Sequence, residues 1–279
     1  MNLTNRTFTK AEITSKLNDI YSKSFASMSF RDAYKLALNV IDLTTLEGSD
    51  THQRVIDLCE KAKSFPSLGE DIPTTAAVCV YPVFVATAKK ALVGTNIKVA
   101  SVAGAFPAGQ SPIEVKVAEV KYAVAQGADD IDMVISRGTF LEGDYQTVFN
   151  EIVAIKHACD HAHLKVILET GELHTPENIY KASEIAIQAG ADFIKTSTGK
   201  IAVNATPESM LVMLEAIKAH YDATGKMVGI KPAGGIATAE ESLNYLKLVE
   251  NILGEKWMNN QWLRFGASRL ADKIVEKLR

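Results

Sequence analysis

Two segments of the chain combine a strand-like apolar run with a terminal lysine and a glycine-bearing loop. Residues 193–200 read Phe-Ile-Lys-Thr-Ser-Thr-Gly-Lys, and residues 228–235 read Val-Gly-Ile-Lys-Pro-Ala-Gly-Gly. Lysine is rarely buried without a partner or a task. Lys195 and Lys231 end equivalent strands 36 residues apart, so two amines approach one site. An unperturbed lysine, with a pKa of ~10.4, is neutral in roughly one molecule in 2,500 at pH 7. A second ammonium ~4 Å away, at an effective dielectric of ~20, costs roughly 4 kcal/mol, or about 3 pKa units. That brings one amine near neutrality, where it can attack a carbonyl carbon. A nearby carboxylate would then carry protons.

A carboxylate is available in a repeated frame. Residues 127–132 read Gly-Ala-Asp-Asp-Ile-Asp and residues 190–195 read Gly-Ala-Asp-Phe-Ile-Lys. In each, glycine closes a helix and a strand is entered through Ala-Asp, so Asp132 and Lys195 occupy matching positions. Phosphate binding is the second theme. Gly199-Lys200, Gly234-Gly235 and Gly266-Ala267-Ser268 each follow a late strand candidate. Glycines let backbone N–H groups approach an anion, and a helix N-terminus adds positive potential. A Walker P-loop is excluded, because Ile194 stands where its first glycine belongs and Ile201 follows the lysine.

Other clusters are weaker. His157, His161 and His163, with Cys159 and Asp160, lie where a helix candidate leads into the start of a strand. They are read as a solvated helix end, and no metal is expected. Cys79, in Val-Cys-Val-Tyr-Pro, either packs or lines the pocket. Asp42, in Ile-Asp-Leu-Thr-Thr-Leu, either fixes a loop by hydrogen bonds or supports the site from behind.

The elements that must position these groups alternate regularly. After a polar, helical N-terminal segment (roughly residues 10–39), apolar runs fall near 40–43, 76–80, 97–103, 130–135, 164–168, 192–196, 228–231 and 263–266. Stretches with helical periodicity separate them, notably 113–126, 145–161, 176–189, 207–221 and 239–253. Ser111-Pro112, Thr175-Pro176 and Thr206-Pro207 are expected to cap helices. Eight strand candidates alternating with helices point to an α/β fold, a (β/α)8 TIM barrel with an N-terminal helical extension, instead of an open doubly wound sheet. Residues 1–38 form the extension and residues 39–279 the catalytic barrel in this reading. Alternate barrel strands fill one interior layer, which brings Asp132 and Lys195 into one cavity. Lys195 and Lys231 end their strands on the face where barrel sites lie. Lys165 starts its strand and is expected at the other barrel end or in a salt bridge.

Composition narrows the function. The 279 residues are 47% hydrophobic, enough for one large core, with 30 basic against 33 acidic residues and a net charge of -3. No electrostatic case exists for nucleic acid. Three cysteines without a CxxC spacing, no apolar leader segment, and an apolar stretch at 76–88 interrupted by Pro82 are read as a cytoplasmic protein without a membrane partner.

Eight motifs in chain order resemble the 2-deoxyribose-5-phosphate aldolase family: Ile-Asp-Leu-Thr-Thr-Leu (41–46), Val-Cys-Val-Tyr-Pro (78–82), Gly-Ala-Asp-Asp-Ile-Asp (127–132), Glu-Thr-Gly-Glu-Leu (169–173), Phe-Ile-Lys-Thr-Ser-Thr-Gly-Lys (193–200), Val-Asn-Ala-Thr-Pro-Glu (203–208), Lys-Pro-Ala-Gly-Gly (231–235) and Arg-Phe-Gly-Ala-Ser (264–268). The resemblance implies a metal-free, cofactor-free class I aldolase on a (β/α)8 barrel. It would reversibly cleave 2-deoxy-D-ribose 5-phosphate to D-glyceraldehyde 3-phosphate and acetaldehyde. By position, Lys195 matches the Schiff-base lysine, Lys231 the second lysine and Asp132 the proton-relay aspartate. Cys79 matches a cysteine near the substrate. Gly199, Lys200, Gly234, Gly235, Gly266 and Ser268 fall on phosphate-site segments. The expected partners are a phosphosugar and an aldehyde, and the expected assembly is a homo-oligomer, dimer or tetramer. Familiar members carry Val-Arg or a similar pair after the double glycine, where this chain has Ile236-Ala237. The best-known bacterial members end in a mobile tail with a terminal tyrosine, where this chain reads Glu-Lys-Leu-Arg279. Another class I lyase or a transaldolase-like enzyme would keep both lysines. A metal-dependent aldolase would need histidine pairs that no strand end offers, and a non-catalytic phosphosugar-binding barrel would have no use for both lysines.

Overall fold

In this computed structural model every residue except Asn2 is described. Eight parallel strands are assigned among them: β1 (Ile41–Thr44), β2 (Ala77–Val80), β3 (Lys98–Ala103), β4 (Asp130–Val134), β5 (His163–Ile167), β6 (Phe193–Lys195), β7 (Gly229–Lys231) and β8 (Phe265–Ala267). Each matches an apolar run read from the sequence, to within two residues at its ends. The strands are almost wholly buried because helices cover the outside while side chains fill the inside. The order runs β7-β6-β5-β4-β3-β2-β1-β8. Bridges from Ile230 to Leu263 and from Ala233 to Gly266 close β7 onto β8. The result is a TIM barrel.

The helices preceding and following the first strands are α1 (Lys10–Ser22), α2 (Phe30–Asn39), α3 (His52–Ser64), α4 (Val85–Ala91), α5 (Ile113–Ala125) and α6 (Arg137–Leu141). The later ones are α7 (Tyr145–Ala158), α8 (Pro176–Gln188), α9 (Pro207–Thr224), α10 (Ala239–Leu253) and α11 (Leu270–Leu278). Thr175 and Thr206 cap α8 and α9 as expected, each accepting from a backbone N–H three residues on, with proline in the first turn. Ser111-Pro112 behaves differently. Pro112 itself holds the extended N-cap position of α5 without a side-chain cap bond, since its own extended ψ ends the loop only at that residue.

The N-terminal segment is not one helix. It breaks between Ser22 and Phe30, where Ser29 accepts from the Asp32 N–H and starts α2 afresh. Helix α1 buries Ile13, Leu17 and Ile20 in the same apolar core as the barrel helices, and such side chains contribute ~1.5–3 kcal/mol each when fully buried. Among the described residues, no helix is long and apolar enough to cross a membrane.

Candidate active site

β6 and β7 lie in a register that pairs Lys195 with Lys231. Across the interior from them, β4 carries Asp132. Its Oδ2 accepts from Lys195 Nζ at 2.7 Å and from Lys231 Nζ at 2.7 Å. Lys231 Nζ also donates to Asp42 Oδ2, on β1, at 2.5 Å. Lys195 is 3% exposed, and the other three are 0% exposed. The frame shared by residues 127–132 and 190–195 thus does place Asp132 and Lys195 in one interior.

The two lysines end with opposite shifts although burial acts on both in the same sense. Burial lowers the Lys195 amine most, Asp132 pulls it back up, Lys231 lowers it again, and the balance falls below an ordinary lysine. Burial would lower Lys231 too, but Asp132 and Asp42 outweigh it and raise the amine above its ordinary value. Burial alone would raise Asp132, yet Lys195, Lys231 and Lys165 hold its carboxyl far below the usual range. The expected like-charge effect is therefore present but secondary. Desolvation is the larger cause, because a dry interior penalises every ammonium before any neighbour is counted.

Lys165 takes the salt-bridge alternative of its two expected roles. Its side chain is fully buried, with Nζ 2.7 Å from Asp130 Oδ2 and 3.4 Å from Asp132 Oδ1. It forms a salt bridge, but inside the barrel beneath the lysine pair. His163 touches Asp130 Oδ1 at 3.2 Å from the start of β5. His161 meets Asp160 at 3.4 Å on the surface. No group of three or more His, Cys, Asp or Glu suited to a metal ion occurs among the described residues.

Above Lys195 opens a cavity of about 450 Å³. Gly199, Lys200, Gly234, Gly235, Gly266 and Ser268 all line it, so the loops after β6, β7 and β8 converge as expected. Gly234 and Gly235 have φ of 69° and 79°, a backbone conformation that favours glycine. A Cβ on Gly234 would also fall 2.8 Å from Asn204. Asp132, Lys231 and Asp42 lie buried behind Lys195. Cys79 sits in a small apolar cluster with Leu46, Ala100 and Val102. Its thiol is pushed up to about 11 by burial, so it stays protonated at neutral pH.

Several lining residues escaped sequence reasoning. Arg269 and Lys273 add two cations to Lys200 around the cavity. Lys273 Nζ donates to the Ala237 carbonyl at 2.5 Å, two residues beyond the double glycine. Their four-residue helical spacing directly after Gly266-Ala267-Ser268 was the available signal. Glu47 faces Lys200 at 3.1 Å. Glu169 holds the β6 loop from behind: Thr198 donates to it through its backbone N–H at 3.0 Å and its hydroxyl at 2.5 Å. Glu169 does so with a left-handed φ of 57°, and strain of that kind persists where surroundings enforce it. A buried amine below its ordinary pKa at a cavity wall, glycine loops around the same cavity and an ionised carboxylate behind form an arrangement with the elements that carbonyl chemistry on an anionic substrate requires.

Comparison with known proteins identifies the family. The family model for DeoC/LacD family aldolases matches residues 36–251. Deoxyribose-phosphate aldolase of Homo sapiens is 48% identical over 254 residues, covering 87% of this chain and 79% of that protein. The Mus musculus deoxyribose-phosphate aldolase is 45% identical over 280 residues, covering 96% of this chain and 88% of its own. A solved structure from Coccidioides immitis superposes with a TM-score of 0.74 at 29% identity, over 97% of this chain and 98% of that one. The chain belongs to the DeoC/LacD family of aldolases.

Proposed function

We propose that this chain reversibly cleaves 2-deoxy-D-ribose 5-phosphate to D-glyceraldehyde 3-phosphate and acetaldehyde, with Lys195 as the Schiff-base amine. The observation that carries this reading is Lys195 itself, a buried amine held below its ordinary pKa at the wall of a cavity lined by the three glycine loops. The activity named for the human and mouse relatives supports the choice of sugar.

Neutral Lys195 Nζ attacks C1 of the open-chain sugar, and the carbonyl oxygen takes up a proton to give a carbinolamine. Loss of that hydroxyl as water leaves a protonated imine. Acetaldehyde has two carbons, so C1 and C2 stay on the lysine and the bond that breaks is C2–C3. A base removes the C3 hydroxyl proton, C3 becomes the aldehyde carbon of glyceraldehyde 3-phosphate, and the bonding pair flows through C2–C1 onto nitrogen. The enamine is then protonated at C2, and water hydrolyses the imine to acetaldehyde and free Lys195. Asp132, held ionised, can accept a proton, and Lys231, held protonated, can supply one. Solvent water relays between them and the sugar. The 5-phosphate lies among the glycine loops beside Lys200, Arg269 and Lys273.

Incubation with acetaldehyde and borohydride should leave an ethyl group on Lys195, read by peptide mass spectrometry. Lys195→Ala should lose both trapping and cleavage. Trapping that persists in this variant, at Lys231 for instance, would overturn the assignment.

A further inference from the structure

Seven ionisable side chains share the barrel interior beneath the cavity: Asp42, Asp130, Asp132, Lys165, Lys195, Lys231 and Arg264. None is more than 3% exposed. Six of them close a ring of alternating charge. Asp132 meets Lys231 at 2.7 Å, Lys231 meets Asp42 at 2.5 Å, and Asp42 meets Arg264 at 2.8 Å. Arg264 meets Asp130 at 3.2 Å, Asp130 meets Lys165 at 2.7 Å, and Lys165 returns to Asp132 at 3.4 Å. Among the described residues Lys195 forms its ion pair with Asp132 alone, outside the ring.

We propose that Asp130, Arg264 and Lys165 are positioning residues whose closure of this neutral ring makes Lys195 the amine that surrenders its proton. With all seven groups ionised the interior holds four cations and three anions, and an uncompensated buried charge is the costly species. Release of one proton restores neutrality. Arg264 cannot supply it, since a guanidinium stays protonated in proteins. Lys231 and Lys165 each contact two carboxylates, whereas Lys195 contacts one oxygen and shares it with Lys231. Lys195 therefore loses least on becoming neutral.

Other titratable groups facing the cluster leave this count unchanged. Cys79, from β2, is a protonated thiol. His163 reaches Asp130 from outside, with a side chain 49% exposed. Lys200, Arg269, Lys273 and Glu47 face Lys195 across the open cavity, where solvent screens them.

The inference rests on Lys195 being the imine-forming amine, so the test reads the pH dependence of borohydride-trapped acetaldehyde on that residue. Arg264→Met removes a cation, lets Lys195 keep its proton, and should move the rising limb to higher pH by about one to two pH units. Asp130→Asn removes an anion and should move the limb the opposite way. The double variant restores neutrality and should return the limb to its wild-type position, as should Arg264→Lys. A purely structural role would slow trapping at every pH without opposed shifts. Limbs that stay put, or move together in both single variants, overturn the proposal. If Arg264→Met does not fold, the direction of the shift in Asp130→Asn decides. Wild-type protein that shows no trapping at Lys195 would refute the parent reading instead.

Discussion

Ser268 is exposed at the cavity mouth, between Gly266 and Arg269. A carboxylate there would face the dianion that the three loops are proposed to hold. Two unit charges ~4 Å apart repel by roughly 4 kcal/mol at an effective dielectric of ~20, and exposure reduces this. Ser268→Asp should therefore raise the KM for deoxyribose 5-phosphate by about tenfold to a hundredfold. The KM for unphosphorylated deoxyribose should hardly change, and steady-state kinetics on both sugars reads the difference. Equal losses would move the phosphate to another part of the cavity. Lys195 and Lys231 make the same point about position: identical side chains, paired in register, acquire opposite shifts because one touches a single shared carboxylate oxygen and the other two carboxylates.

At the scale of elements, α1 is held to α9 and α10 by apolar contact and by one acid. Glu215, on α9, accepts from Arg6 at 2.8 Å and from Lys16. Its side chain is 11% exposed, while those of Arg6 and Lys16 are 40% and 46% exposed. Half-solvated cations limit the value of the pairs to about 1–2 kcal/mol together. Glu215→Gln should loosen the N-terminal segment and speed its limited proteolysis several-fold, with kcat unchanged because α1 contributes no cavity residue. Proteolysis at the wild-type rate would show that Ile13, Leu17 and Ile20 hold the helix unaided.

For the whole molecule, the buried charges tie stability to pH. Burial works against ionisation of Asp42, Asp130 and Asp132, yet their cations hold all three below the ordinary carboxylate value. A depressed folded pKa adds stability that is present above the unfolded value of ~3.9 and is lost as pH falls toward the folded values. Lys231 is raised, so its contribution holds below the unfolded value of ~10.4 and fades as pH climbs through its higher folded value. These groups should leave Tm level between about pH 5 and 9 and lower it below about pH 4, by roughly 2–4 °C for each kcal/mol lost. Calorimetric scans across that range provide the check. A Tm that stays level down to pH 3 would show that the interior ions contribute no net stability.

Local patterns were enough to bring Lys195, Lys231 and Asp132 together in one interior. Each stands at a fixed point in a short frame of glycine, apolar strand and loop, and such frames repeat because every βα unit solves the same packing problem. The strand count and the convergence of the glycine loops followed from the same periodicity. Lys165 was legible only as a strand lysine, because nothing local distinguishes a side chain that leaves the barrel from one that crosses its interior. Arg264 and Asp130 are 134 residues apart and meet only because β8 closes beside β1. Arg269 and Lys273 enter the site because α11 starts at the cavity's edge, where Lys273 reaches the Ala237 carbonyl. Which amine gives up its proton depends on a sum over all buried charges and on the dryness around them. Residue spacing carries periodicity, whereas that sum exists only once the closed barrel has gathered its ions and excluded water.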